Sequence, residues 1–565
     1  MPRPRYRRPS FPKIRLGEIR LRQMERTAMA ISPDGALPYA VYDGYLVSLY
    51  PWQGARVALL TSSGNLDGDV VEDILHRIDA AYDVYLAITG QAPAPYRLYN
   101  GLLTIAEVPT ALEGAADAIG FLGASGIELT TSAFDRLYAG AAEGGTFDQT
   151  VFYELGRNFW FYGPQLGNVD AFVTGFAIAN RFVSMQEADI PGSAFGALPF
   201  GEFKQSILED LAQTFFQNAD VTLATTLGAA SGVPNPNNWG AADLAASLLY
   251  QVYEDFGLDA YARFFQELAG RPAAETPAAA FDNLVAAASE ATGIDYGFLN
   301  KGEGVAYLVG GRDADRLEAD GSGNPVLGFG GDDTLIGTAG ADRLFGDAGD
   351  DVLRGGGGRD QLVGGAGDDT YFVDTPGDRV FEGAGQGTDR VVATSTYRLA
   401  ADQEVEILQL ARSTGGAPLS LTGNAFGQTL LGNAGDNRLD GGGGDDRLAG
   451  GLGEDRLTGG SGADTFVFDT PSGRGNVDHV RDFVSRDDGF QLDHAVFSRL
   501  AIGVLAPEQF KQLGPAKADA DDRILYRQKT GELFYDADGS GRKEAVLIAV
   551  LDNHAVLDHT DFLIV

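Results

Sequence analysis

Ten nine-residue units of the pattern G-G-x-G-x-D-x-U-x, with U a large apolar residue, stand in two blocks. No other feature limits so tightly what this chain can fold into. The first block runs GFGGDDTLI from Gly328, GTAGADRLF from Gly337, GDAGDDVLR from Gly346, GGGGRDQLV from Gly355 and GGAGDDTYF from Gly364. The second runs GNAFGQTLL from Gly423, GNAGDNRLD from Gly432, GGGGDDRLA from Gly441, GGLGEDRLT from Gly450 and GGSGADTFV from Gly459. Two weaker units, GGRDADRLE from Gly310 and ADGSGNPVL from Ala319, keep the register ahead of the first block. Nine residues suffice for a turn and a short strand, so two units close one coil of a parallel β-roll.

The sixth position of the unit then recurs at an equivalent place in every coil, and it carries carboxylates. Its occupants are Asp315, Asp333, Asp342, Asp351, Asp360 and Asp369, then Asn437, Asp446, Asp455 and Asp464. At the strand spacing of about 4.8 Å such a row of anions repels itself unless a cation lies between the turns. A hard cation taking carboxylate and backbone carbonyl oxygens from Gly-rich turns points to calcium, several ions of it, rather than to magnesium or zinc. The eighth position (Leu335, Leu344, Leu353, Leu362, Tyr371; Leu430, Leu439, Leu448, Leu457, Phe466) points inward as a narrow apolar core. A Gly/Asp-rich disordered linker is the competing reading, and the strict register of inward Leu argues against it.

These units resemble the RTX repeat family of calcium-binding proteins. The resemblance covers residues 305–565 and implies export through a bacterial type I secretion apparatus that reads an uncleaved C-terminal signal. It divides the second half into block 1 (305–372), an irregular roll interlude (373–422), block 2 (423–468) and a β-rich cap with the signal (469–565). Asp482, Phe483 and the terminal Asp561-Phe562-Leu563-Ile564-Val565 resemble such a cap. Asp536, Asp538, Ser540 and Gly541 resemble the start of an EF-hand loop, but Leu547 stands at its twelfth position, where the bidentate Glu belongs. That stretch reads as a polar turn between strands at 533–535 and 545–551 that could seat an accessory calcium.

Length and charge fit this picture. A chain of 565 residues exceeds one core and implies several domains. A net charge of -37 argues against nucleic acid as a partner and for cation binding. With no cysteine, thiol catalysis and zinc–thiolate sites are excluded. No apolar run is long enough for a membrane span, and the N-terminus lacks the pattern of a secretory leader. Residues 1–29 hold nine Lys/Arg against Glu18 and Glu25 and read as a basic disordered arm, with an anchor to an anionic surface as the weaker alternative.

Residues 30–300 read as a compact α+β head, with a strand at 56–61, a helix at 69–88, strands at 102–108 and 126–131, and helices at 150–162, 171–185, 203–218, 241–255, 258–268 and 279–291. The segment Tyr153-Glu154-Leu155-Gly156-Arg157, followed by Thr174, is similar in placement to a gluzincin-type zincin metallopeptidase. In that family two His of H-E-x-x-H and a distal Glu hold zinc. The resemblance places Tyr153, Arg157 and Thr174 at the ligand positions and retains only the general base, Glu154. Arg157 is permanently cationic and the only His before residue 479 is His76, so no zinc is expected. An ion pair of Glu154 with Arg157 is the plainer role. No G-x-S-x-G elbow is present.

The sequence therefore predicts a multidomain protein: an α+β, zincin-like head, a parallel β-roll and a small β-rich cap. Its expected function is extracellular calcium binding, with a non-catalytic head that binds a peptide, glycan or cell-surface partner. A secreted hydrolase with an unrecognised site and a surface-layer or adhesin-type protein remain as alternatives.

Overall fold

The computed structural model describes residues 35–42, 45–109, 117–167, 169–302, 304–471, 473, 475–514, 518–539 and 543–565. The basic arm and the Ser540 and Gly541 positions lie outside them. The chain forms two compact units, residues 1–163 with 176–203, and residues 164–175 with 204–565.

In the first unit, strands β1 (Leu37–Ala40), β2 (Leu46–Gln53), β3 (Val57–Thr61), β4 (Leu98–Tyr99), β5 (Leu102–Val108), β6 (Ala118–Gly120) and β7 (Ile127–Thr130) form one sheet in the order β1-β2-β3-β5-β7-β6, with β4 paired to β5. The β3, β5 and β7 centre is parallel and buried on both faces, while β6 runs antiparallel at the edge. Helix α1 (Gly68–Thr89) starts at the Asp67 cap and ends at Gly90, which adopts φ 70°. Of the apolar stripe Val71, Ile74, Ile78, Tyr82 and Tyr85 read from the sequence, it buries all but Tyr82, which is half-buried. Helix α2 (Thr131–Gly144) and the antiparallel strands β1, β2 and β6 are additions to the sequence reading.

Helix α3 (Thr150–Asn158) stops four residues earlier than the sequence suggested. The Asn158 side chain donates to the Phe121 and Gly126 carbonyls at 3.0 and 3.1 Å, anchoring the helix end to the loop around β6. The aromatics after it are core: Phe159 stacks on Tyr85 at 5.3 Å, and Trp160 meets Phe176 edge-on at 5.4 Å. Helix α4 (Asp170–Glu187) follows, and the predicted helix 203–218 is two helices, α5 (Phe200–Leu208) and α6 (Asp210–Gln217). Helix α7 (Ala241–Ala269) breaks at Gly257, which sits at φ 68°, and α8 (Pro277–Thr292) packs beside it.

Residues from 308 onward wind as a roll of mostly parallel strands. One side is a single twelve-stranded sheet that runs through both blocks and the interlude. It pairs, for example, Leu335 with Leu353, Tyr371 with Val391, Leu408 with Leu430 and Phe466 with Phe490. The other side is split into a five-stranded sheet ending at Arg379–Phe381 and a nine-stranded sheet starting at Tyr397–Arg398. The inward Leu column is fully buried, and Val380, Val391, Leu408 and Leu421 continue it through the interlude.

The two sides of the roll differ on their outer faces. The five-stranded sheet presents Leu327, Phe345, Val363 and Phe381, all buried, whereas the twelve-stranded sheet presents exposed Arg354 at the equivalent place. The apolar row is covered by α7, where Phe256 meets Phe381 at 6.2 Å and the Gln386 amide donates to the Glu254 carbonyl at 2.6 Å. Helix and roll thus share a core in this unit.

Candidate metal centre

Each coil places its sixth-position carboxylate on the ladder of the coil before it. The Asp315 N–H donates to Asp333 at 2.7 Å, Asp333 to Asp351 at 2.7 Å, Asp351 to Asp369 at 2.7 Å, and Asp369 to Asp389 at 2.9 Å. On the opposite edge the Asp342 N–H donates to Asp360 at 2.9 Å and Asp360 to Asp378 at 3.2 Å. Block 2 repeats this from Gln428 through Asp446 and Asp464 to Asp488, and from Asn437 through Asp455 to Asp478. The candidates of the sequence are therefore brought together in four rows, with a rise of two units per step.

These bonds use one carboxylate oxygen, Oδ1. The other oxygen, Oδ2, of Asp333, Asp351, Asp360, Asp369, Asp446 and Asp464 is buried with no hydrogen-bond partner. A buried, unpartnered carboxylate oxygen is costly unless a proton or a cation meets it. Burial, with neighbouring carboxylates adding to it, pushes Asp369 up to about 9, Asp351 to about 8, Asp360 and Asp446 to about 7, and Asp333 and Asp464 to about 6. Asp455 and Asp478 are raised by burial as well, and each acts on the other.

Three candidates differ. Asp342 Oδ2 accepts the Thr338 N–H at 2.6 Å and its hydroxyl at 2.9 Å, Asp315 Oδ2 accepts the Gly311 N–H at 2.8 Å, and Asn437 Oδ1 accepts the Asn433 N–H at 2.7 Å. Sequence reasoning passed over Gln428, which stands at the sixth position of the first unit of block 2, and over Asp378, Asp389, Asp478 and Asp488, which carry the rows onward where the glycine pattern has faded.

The first glycine of the unit supplies the space beside each bare oxygen. A Cβ on Gly346 would overlap the Asp351 carboxylate and come within 2.7 Å of the Gly364 carbonyl; one on Gly441 would overlap Asp446 and lie 2.7 Å from the Gly459 carbonyl. Each cradle is lined by carboxylate and carbonyl oxygens, the donor set of a hard divalent cation. Gly349 and Gly367, at φ 131° and 137°, hold turn conformations closed to other residues.

Against known families, the RTX calcium-binding nonapeptide repeat matches in four copies, over residues 327–362, 347–374, 422–457 and 431–466. The chain carries RTX repeats. It is a calcium-binding protein, and proteins with these repeats are typically secreted. Among curated proteins, none matches the chain. No described helix is long and apolar enough to cross a membrane.

The cap closes the RTX roll. Asp482 accepts the Gly459 and Gly460 N–H groups at 3.0 and 2.9 Å, and Phe483 stacks on Phe490 at 4.5 Å. The terminal strand Phe562–Ile564 pairs in parallel with Gly489–Leu492, and Asp561 accepts the Ser485 hydroxyl at 2.8 Å. Asp536 accepts the Asp538 N–H at 3.1 Å in the turn between strands Glu532–Tyr535 and Val546–Leu551.

In the first unit, Glu154 is buried on α3. Its Oε2 accepts the Gly120 N–H of β6 at 2.5 Å and lies 3.4 Å from the Arg157 guanidinium. Burial pushes Glu154 up to about 7, against the pull of Arg157 and of the Gly120 N–H. Tyr153 is half-buried, with the Arg181 guanidinium 6.0 Å from its ring centre, and His76 is exposed on α1. Thr174 lies on α4.

Proposed function

We propose that this is a type I secreted, extracellular protein whose RTX roll is ordered by calcium met outside the cell, and whose ions sit on Asp333, Asp351, Asp360, Asp369, Asp446, Asp455 and Asp464. The observation that carries the reading is the row of buried Oδ2 atoms without partners, repeated coil after coil. Inside the exporting cell calcium is scarce and the row repels itself, so the chain stays open for passage. Outside, modules of this kind fill with dissociation constants of about 10⁻⁴ to 10⁻³ M, and binding and folding become one event. The placement of Phe562–Ile564 within the twelve-stranded sheet supports export before folding, because a signal read by the secretion apparatus has to be accessible.

The zincin-like head is a non-catalytic binding domain in this reading. Support comes from Glu154, whose Oε2 is engaged by the Gly120 N–H and faced by Arg157, and from Tyr153 and Arg157 at the positions where that family carries His. Its partner class is a peptide, glycan or cell-surface component. Far-ultraviolet circular dichroism of the full chain tests the roll: chelator should remove β-sheet signal and millimolar calcium restore it. A spectrum indifferent to both would overturn the reading. Zinc bound stoichiometrically by the purified chain, with hydrolysis lost on Glu154→Gln, would overturn the non-catalytic head.

A further inference from the structure

The coil that ends block 1 departs from the repeat at two positions that answer each other. Pairing of Leu362 with Val380 and of Val363 with Phe381 brings Glu382 to the place held by Gly346 and Gly364 in the two coils before it. A glutamate thus stands where the repeat needs the smallest residue, and its carboxylate enters the cradle over Gly364. At the inward position of the twelve-stranded sheet, where the neighbouring coils have Leu335 and Leu353, stands Tyr371, whose hydroxyl donates to Glu382 Oε1. The Glu382 N–H is held by the Gln403 side chain at 2.6 Å.

Three carboxylates meet there instead of one. Ligand atoms of Asp369, Glu382 and Asp389 all lie within 4.8 Å of one another. Glu382 is 3% exposed and Asp389 1%, and Glu382 Oε2, Asp369 Oδ2 and Asp389 Oδ2 have no hydrogen-bond partner. The Asp389 Oδ1 and the Tyr371 hydroxyl are already committed to the Asp369 N–H and to Glu382, so the bare atoms are oriented by the fold. Among the described residues this is the one grouping of three metal-ligating side chains.

We propose that Asp369, Glu382 and Asp389 hold a calcium ion distinct in kind from those of the repeats, and that it fills first. An all-oxygen set favours calcium, and affinity in such sites rises with the number of ligand charges and with rigidity. The ion fastens block 1 to the interlude, where the twelve-stranded sheet continues and the five-stranded sheet stops.

The proposal rests on the calcium reading of the roll, and four full-length variants separate the two. Bound calcium is counted by equilibrium dialysis with elemental analysis, and the titration is followed with terbium excited through tyrosine. Glu382→Gln should lose one ion and weaken the tightest step at least about tenfold, leaving the later steps in place. Asp351→Asn should spare the tightest step and weaken a later one. The pair Tyr371→Leu with Glu382→Gly restores the repeat pattern and so guards against a misfolded Glu382→Gln; it should also lose the tightest step. Tyr371→Phe should cut terbium emission from that step. An unchanged count and an unchanged first step in both Glu382 variants would overturn this site alone, whereas failure of Asp351→Asn to alter any step would strike the repeat reading instead.

Discussion

Asp79 in the first unit and Asp351 in the roll are both buried aspartates, and they differ in who attends to their oxygens. Asp79 accepts the N–H groups of Ala55, Arg56 and Val57 at 2.5, 2.8 and 2.9 Å, using both oxygens. Glu107 is likewise closed, by the Ser62 N–H and hydroxyl at 2.7 Å each. Asp351 accepts one N–H on Oδ1 and nothing on Oδ2, and the same half-satisfaction recurs along the roll. A carboxylate completed by its own chain is a structural element. One left half complete in coil after coil makes the fold conditional on something from outside.

Removal of calcium should break the comparison open with the largest effect. In chelator, amides of the roll should lose protection from hydrogen exchange by orders of magnitude, while β3, β5, β7 and α1 keep theirs. Helices α7 and α8 should follow the roll, because α7 rests on Phe345, Val363 and Phe381. Exchange mass spectrometry of the full chain reads all of these at once. Retained protection in α7 would show that the helices close a core without the roll.

Two aspartates of the same row pattern sharpen the point. Asp351→Ala removes a bare oxygen from a cradle and should raise the calcium midpoint about tenfold. Asp342→Ala removes an oxygen already served by Thr338, and the midpoint should move only about two- to threefold, as for loss of local hydrogen bonds. Equal shifts would mean that the Thr338 contacts give way to the ion.

The roll was legible because its register is strict: nine residues fix turn, strand, inward apolar residue and carboxylate together. Legibility ended where the count did. Asp389 lies 20 residues after Asp369 instead of 18, so extrapolation lands on Gly387 and misses it. Glu382 is in register, yet nothing in its neighbours marks it as the successor of Gly364 until the coil is known to continue. In the first unit the amphipathic stripe of α1 was plain. The end of α3 was not, since Phe159, Trp160, Phe161 and Tyr162 are compatible with a helix and the stop is imposed by Asn158 bonding to a distant loop.

Acid should partly stand in for calcium. Carboxyls raised by burial favour the protonated folded form, so the calcium-free roll loses stability as pH rises from about 4, the unfolded value, through about 9, the value at Asp369. In chelator, circular dichroism should therefore show more β-structure at pH 5 than at pH 8.5. With calcium present the order reverses. Fewer protons need displacing at higher pH, and the calcium midpoint should fall between pH 6 and pH 8.

Glu154 offers the smallest effect and tests the first unit by the same rule. Its carboxyl is raised from 4.5 to about 7, so it should make the calcium-loaded protein less stable as pH rises from about 4.5 to 7. Glu154→Gln keeps an acceptor for the Gly120 N–H and removes the titrating charge, which should flatten that slope. Arg157→Ala removes the cation that pulls the carboxyl down and should steepen it, by no more than a partly exposed ion pair supplies, about 0–1 kcal/mol. Thermal unfolding in saturating calcium at pH 5 and pH 8 measures both. If neither variant alters the slope, the Glu154 carboxyl is answered by its own chain, and the contrast between a closed first unit and an open roll becomes complete.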